Sequence, residues 1–248
     1  MVSVQQSILQ VDHPLAPLTV EEVQTAISIL KEQRPLGEKV RFPTVTLREP
    51  VKEEVLNFVP GADFTREIFT VLLDNETGKT YEAVISLNTN NVVSFVEIEG
   101  VQPTIMAEEF PECEAIVKQH PEFIEAVKKR GIENIDLVTV DPWSAGNFNI
   151  PEDEGKRIIR AVSWVKKFPE DNAYAYPLTG IVVYVDLNKM EVDRVEDHGV
   201  RELPTVDGNY SPETSDSIIF RDDLKPLEII QPEGPSFTVE GNLIKWQK

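Results

Sequence analysis

The stretch FTREIFTVLLDNETGKTYEAVISLNTNNVVSFVEI, residues 64–98, decides the fold because it holds three apolar runs separated by two turn signals. Residues 64–73 are rich in β-branched and aromatic side chains, which favour strands. Between Tyr81 and Leu87, every second residue is apolar, as in a strand with one buried face. The segments 74–78 and 88–91 supply the Asp, Asn and Gly residues that turns prefer. The pattern predicts three antiparallel strands, with the last at 92–98.

A helix and a further strand precede this stretch. Thr19 and Glu22 have the spacing of a capping box, which satisfies free amides at a helix start. An apolar stripe follows at helical spacing, formed by Val20, Val23, Ile27 and Leu30. The short β-branched run at 42–47 predicts one more strand. The first unit is therefore one helix followed by about four strands.

The second half of the chain repeats this plan. The pattern of residues 93–97 returns at 192–196. Two helices are expected first, one beginning in the acidic stretch around Glu109 and one opened by Pro121. Strands are expected at 138–140, 157–167, 181–187 and 190–197. The segment 157–167 also fits a helix face, and the strand is preferred because the first unit has a long strand at the matching place.

These elements predict an α+β fold, since a sheet with one apolar face is covered by helices in a two-layer arrangement. We expect a tail at 1–14, a first small α+β domain at 15–99, a second at 100–208 and an extended, proline-rich acidic segment at 209–248. That last segment ends in an apolar strand that would be left unpaired.

The charge and the composition exclude several classes of function. The chain has 248 residues and a formal net charge of −19, which argues against nucleic-acid binding and against attraction to anionic membranes. A negative field attracts cationic small molecules, but plain solubility is the preferred explanation of the charge, since it requires no binding site. No apolar run is long enough to span a bilayer, and the first residues do not form a secretory signal. We expect a cytoplasmic protein.

Residues typical of catalysis do not cluster in the sequence. Cys113 is expected to be a buried helix residue, and the three histidines lack metal-binding spacing. Acidic pairs such as Glu108-Glu109 are expected on solvated faces. Two aromatic residues stand out: Trp143, expected in a loop, and Phe110, expected at a helix start. Either residue packs within the fold or contacts a ligand, and the sequence leaves both alternatives open.

Several motifs together resemble the copper amine oxidase family from about residue 12 to the end. The most specific is QPEGPSF at 231–237, followed by VEGN at 239–242 and KW at 245–246. The others are HPL at 13–15, PWSAG at 142–146, FPED at 168–171, YVD at 184–186, GNY at 208–210 and KPL at 225–227. The resemblance implies two tandem cystatin-like domains, which are the small non-catalytic amino-terminal domains of the family, followed by the link into the catalytic domain.

The resemblance also implies a function for the complete enzyme and a limit for this chain. Family members oxidise primary amines to aldehydes, releasing ammonia and hydrogen peroxide, with copper and a tyrosine-derived topaquinone. Their copper site includes a His-x-His pair, and their topaquinone tyrosine lies in Asn-Tyr-Asp/Glu. Here no His-x-His occurs, and the one Asn-Tyr pair, Asn209-Tyr210, is followed by Ser211. We expect neither cofactor nor metal site in this chain, and no catalysis by it alone.

By resemblance, Phe110, Pro142 and Trp143 contribute to the entrance of the substrate channel. The expected partner is the amine oxidase catalytic domain, in cis or separately encoded, within a homodimeric enzyme. The alternative is a stand-alone module that binds a protein or an amine without catalysis.

Overall fold

The computed structural model describes residues 11–146, 148–210, 213–216, 218–241 and 243–246. Within these ranges, two helix-on-sheet units follow one another. The first contains, in chain order, α1 (Val20–Gln33), β1 (Val40–Arg48), α2 (Lys52–Leu56), β2 (Glu67–Asp74), β3 (Lys79–Ser86) and β4 (Asn91–Glu97). The second contains α3 (Glu109–Gln119), α4 (Pro121–Lys128), β5 (Val138–Ser144), β6 (Ile158–Val165), β7 (Ile181–Asp186) and β8 (Glu191–Asp197).

Each unit has one antiparallel sheet of four strands in sequence order, β1-β2-β3-β4 and β5-β6-β7-β8. This confirms the α+β prediction of two tandem cystatin-like units with helices packed on four-stranded sheets. Residues 157–167 form a strand rather than a helix, as preferred from the sequence. The short helix α2 was not expected. The domain bounds given above stay a prediction.

The cores lie between the helices and one face of each sheet. In the first unit, Ala26, Ile29 and Leu30 of α1 pack against Ile68, Leu72, Ala83 and Ile85. In the second, Cys113, Val117, Phe123 and Val127 pack against β5, β6 and β7. The buried position predicted for Cys113 is confirmed.

The buried face of α1 differs from the predicted stripe. Thr19 does cap the helix, and the full capping box with Glu22 is present. However, Val20 is largely exposed, and the buried residues are Glu22, Ala26, Ile29 and Leu30. The predicted stripe is rotated about the helix axis relative to the buried face, because a charged residue, Glu22, faces inward.

The segment 209–248 forms a compact unit of its own. Its two short strands, β9 (Phe237–Glu240) and β10 (Leu243–Trp246), pair as an antiparallel hairpin. The expectation of a single unpaired strand was therefore wrong, because Gly241 adopts a positive φ of 61° and lets the chain turn back. Asn242 of the VEGN motif, Ser211 and most of the predicted tail lie outside the described residues.

Candidate functional site

The expected entrance residues Pro142 and Trp143 lie in strand β5. Their predicted loop position was therefore wrong. The strand is at the edge of its sheet, next to β6. An edge strand tolerates proline because the missing N–H is not needed by a neighbour.

Pro142 and Trp143 lie on opposite faces of the sheet, since successive side chains of a strand alternate. Pro142 is buried on the same side as Val138 and Val140, which face the helices. Trp143 is 58% exposed and belongs to the opposite face. The two residues therefore do not form one surface.

Trp143 belongs to a group of aromatic side chains on the face away from the helices. Its ring centroid lies 6.3 Å from that of Trp164, which in turn lies 5.0 Å from that of Tyr174 in an edge-on contact. The Tyr174 hydroxyl donates a 2.7 Å hydrogen bond to the Asp141 carboxylate. Since Tyr174 is 62% exposed, the group presents both rings and a polar edge to solvent. Its geometry suits contact with another apolar surface or with a planar or cationic ligand.

The turn after β5 brings a further aromatic ring to this face. Gly146 has a φ of +75°, and a Cβ atom there would lie 2.8 Å from the Phe148 ring. Only glycine fits this turn without displacing the ring. Phe148 remains 68% exposed, and the Arg160 guanidinium lies 5.9 Å from its ring centroid.

Phe110 lies in the first turn of α3, the helix that packs on β5. Its position is fixed by its neighbour Glu109, whose carboxylate accepts the Met106 amide and binds Arg157 through both oxygens. Glu109 is fully buried, so the expected solvated face was wrong for this residue. The reason is the partner Arg157, 48 residues away in sequence, which also donates to the Thr104 carbonyl at 2.7 Å.

The first unit contains a corresponding buried ion pair between a glutamate and an arginine, which the sequence analysis did not predict. Arg66 precedes β2 as Arg157 precedes β6, and it binds Glu22 in α1 at 2.7 and 2.9 Å. The backbone carbonyls of Arg66 and Arg157 accept the amides of Leu87 and Leu187, respectively. Burial alone would raise the pKa of Glu22, but hydrogen bonds from Arg66 and the Thr19 amide outweigh it and hold that pKa below its usual value. The sequence does hold a signal for these pairs, since each unit has a glutamate in the first turn of its first long helix and an arginine just before its second strand.

Within the described ranges, no three His, Cys, Asp or Glu residues are arranged to hold a metal ion. His13 makes an edge-on contact with Phe58, and His120 joins α3 to α4. His198 follows β8, and its Nε2 atom lies 3.1 Å from the Glu196 carboxylate. Burial, with help from Glu109 and Glu114, raises the pKa of the Cys113 thiol to about 12, so it is not a nucleophile at neutral pH.

The structure brings together only part of the predicted site. Trp143 shares its face with Trp164 and Tyr174, whereas Pro142 faces the helices. No ring contact joins Phe110 to Trp143 among the residues that the structure describes. None of the described helices is long and apolar enough to cross a membrane.

Two family models match successive parts of the chain. One is described as copper amine oxidase, N3 domain, and matches residues 108–211. The other is described as AGAO-like N2 domain and matches residues 19–95. The two matches cover the two helix-on-sheet units in turn.

Relatives with known names extend over nearly the whole chain. A primary amine oxidase of Arthrobacter sp. (strain P1) is 41% identical over 242 residues, which are 97% of this chain and 36% of that protein. The histamine oxidase of Arthrobacter globiformis is 37% identical over 94% of this chain and 34% of its own length. A peroxisomal copper-containing diamine oxidase of Nicotiana tabacum is 32% identical over 96% of this chain and 36% of its own. The chain thus spans about a third of the length of these relatives.

A solved structure shows the same fold. The copper-containing benzylamine oxidase of Hansenula polymorpha superposes with a TM-score of 0.76 at 23% identity, over 95% of this chain and 39% of that one. Since family models match both units in turn and the relatives match nearly the whole chain, the chain belongs to the copper amine oxidase family, of which it carries the N2 and N3 domains.

Proposed function

We propose that this chain is the non-catalytic amino-terminal region of a copper- and topaquinone-dependent primary-amine oxidase, and that it helps to shape the substrate-channel entrance. The observation that carries the proposal is the match of its two units to the N2 and N3 domains, with Trp143 exposed on the edge strand of the second. The whole enzyme would oxidise a primary amine to an aldehyde, with release of ammonia and hydrogen peroxide. Copper and topaquinone would be supplied by the catalytic domain; in support, no three His, Cys, Asp or Glu side chains among the described residues are arranged to hold a metal ion.

In this role, Trp143 acts on substrate by its size. Its ring stands on the edge strand, held from one side by Trp164. An indole at the wall of an entrance leaves less space than a small side chain, and therefore excludes bulky amines more than small ones. Phe110, at the start of α3, would contribute a second, separate point of the wall.

The acidic charge supports capture of the substrate. Primary amines are cations at neutral pH, and the net charge of this chain is −19. A negative surface raises the local concentration of cations and their association rate. If this surface steers amines, kcat/KM should fall as the ionic strength rises, because salt shortens the range of the field.

The test is a hybrid oxidase, in which this chain replaces the matching region of the Arthrobacter sp. (strain P1) primary amine oxidase. We expect the hybrid to oxidise methylamine. Trp143→Ala should raise kcat/KM for benzylamine relative to methylamine by roughly tenfold, because a pocket wall that excludes one ring is removed.

The control is Tyr210→Ala, which removes an exposed aromatic side chain outside the two sheets. Its selectivity should equal that of the unmodified hybrid. If Trp143→Ala left the ratio unchanged in an active hybrid, the entrance role would be refuted. If the unmodified hybrid did not turn over any amine, a stand-alone binding module would become the better account.

A further inference from the structure

The sheet face that carries Trp143 also carries a row of alternating rings and guanidinium groups. Trp143, Arg160, Tyr184 and Arg194 are direct cross-strand partners on β5, β6, β7 and β8. Directly paired residues of an antiparallel sheet lie on the same face. The row therefore crosses the whole sheet on the side away from the helices.

The two arginines of this row differ in their partners. Arg194 lies 3.6 Å from the Tyr184 ring centroid and pairs with Asp153, Asp193 and Glu196. The guanidinium carbon of Arg160 lies 5.9 Å from the ring centroid of Phe148 and 5.7 Å from that of Tyr184. Among the described residues, no carboxylate pairs with Arg160, and its Nε atom is shielded from solvent without a hydrogen-bond acceptor.

This unpaired guanidinium is unexpected in so acidic a chain. There are 43 carboxylate side chains and only 24 lysines and arginines, so anionic partners are not scarce. A shielded guanidinium N–H without an acceptor destabilises the folded chain unless a partner supplies one. The charge of Arg160 is therefore complementary to an anionic group from outside the described fold.

The surroundings of Arg160 are those of a protein interface. Phe148 and Tyr174 are largely exposed, and Trp164 lies between Tyr174 and Trp143. Tryptophan, tyrosine and arginine are the residues most enriched at the energetic centres of protein interfaces. We name this surface, formed by Phe148, Arg160, Trp164 and Tyr174 with Trp143 at its edge, the aromatic–arginine face.

We propose that the aromatic–arginine face docks against the catalytic region of the oxidase, and that Arg160 receives an Asp or Glu carboxylate from that region. The proposal rests on the proposed function, since its partner is the part of the family chain beyond the matched third of the relatives. It places Trp143 at the rim of the contact, where a side chain still borders the entrance. It also names Arg160 as the residue that fixes the register of the two parts.

Hydroxyl-radical footprinting measures the contact directly, because the oxidation rate of a side chain follows its exposure to solvent. The probe is compared on the isolated 248-residue chain and on the hybrid oxidase described above. Phe148 and Tyr174 should be oxidised roughly fivefold more slowly in the hybrid, since residues at the centre of an interface exclude water. Leu56 of the first unit, also exposed, serves as the reference side chain.

The arginine is tested with Arg160→Met and Arg160→Lys in the hybrid. Met keeps the length but not the charge, and should remove most of the protection of Phe148 and Tyr174, whereas Lys should retain part of it. The matched control is Arg48→Met, on an exposed arginine of the first sheet that pairs with Glu67, which should leave the protection unchanged. The melting temperature of each isolated variant shows whether the fold itself has changed.

The outcomes separate this proposal from the proposed function. An active hybrid in which Phe148 and Tyr174 are oxidised as fast as in the isolated chain would refute the docking face and leave the oxidase assignment standing. Full protection in a well-folded Arg160→Met hybrid would refute the role of the arginine. An inactive hybrid would remove the proposed function and, with it, this partner.

Discussion

The buried ion pair between Arg66 and Glu22 gives the most quantitative prediction. Both side chains are fully excluded from solvent, and they share hydrogen bonds of 2.7 and 2.9 Å. Arg66 also donates to the carbonyls of Pro14, Ala16 and Pro17 at 3.3, 2.9 and 3.1 Å. The pair thus ties the segment before α1 and the helix itself to the second strand of the sheet.

Substituting Arg66→Met would leave the Glu22 carboxylate buried, with the Thr19 amide as its remaining donor among the residues that the structure describes. Breaking a buried pair by removing one partner costs about 3–5 kcal/mol of unfolding free energy. With a urea m value of roughly 1–1.5 kcal/mol/M for a small domain, the unfolding midpoint of the first unit should fall by about 2–5 M. Exposed pairs contribute at most about 1 kcal/mol, so Arg48→Met, which breaks the exposed pair with Glu67, is the matched control.

The assay uses the distribution of the tryptophans. Trp143 and Trp164 lie in the second unit and Trp246 in the hairpin, so none reports on the first sheet. Circular dichroism follows both sheets, and tryptophan fluorescence follows the second. Arg66→Met should shift part of the dichroism transition to lower urea and leave the fluorescence transition in place. A midpoint shift of the first unit no larger than that of Arg48→Met would refute the assigned energy of the buried pair.

Three further predictions follow from single side chains. The pKa of Glu22 is lower in the folded chain than its unfolded value of 4.5. The ionised carboxylate therefore contributes fully to the free energy of unfolding above pH 4.5, and this contribution is lost as the pH falls through the folded pKa. Acid titration of Arg66→Met should lack this loss of stability. Thr19→Ala should destabilise the first unit by about 1 kcal/mol through the lost helix cap, measurable as a smaller midpoint shift in urea, whereas an unchanged midpoint would show that the cap carries no energy. Cys113 should resist iodoacetamide at pH 8 in the native chain and react in urea, because burial raises its pKa to about 12; labelling of the native protein would contradict its placement.

Local patterns predicted most of the fold. The capping box at Thr19, the turn at 74–78 and the helix start at Pro121 each lie where the sequence placed them. These signals involve residues within a few positions of one another, so they can be recognised without tertiary structure. The repeated strand pattern then predicted an architecture of two similar units.

The ion pairs between residues distant in the sequence were not predicted. Glu22 and Arg66 are 44 residues apart, and Glu109 and Arg157 are 48 apart. A helix face is expected to bury apolar residues, so a glutamate that turns inward to meet a distant arginine shifts the predicted stripe. Trp143 was expected in a loop because Pro142 and Gly146 surround it, yet an edge strand accommodates that proline. The row through Arg160 became visible only once the register of β5 to β8 was known.

The central claim is that this chain works as the front part of a copper amine oxidase. Sequencing the coding region that follows the codon for Lys248 tests it most directly. The account predicts a continuing or adjacent reading frame that supplies the remaining length of the relatives, with a His-x-His pair and an Asn-Tyr-Asp/Glu motif. A stop codon with no such frame nearby would contradict it.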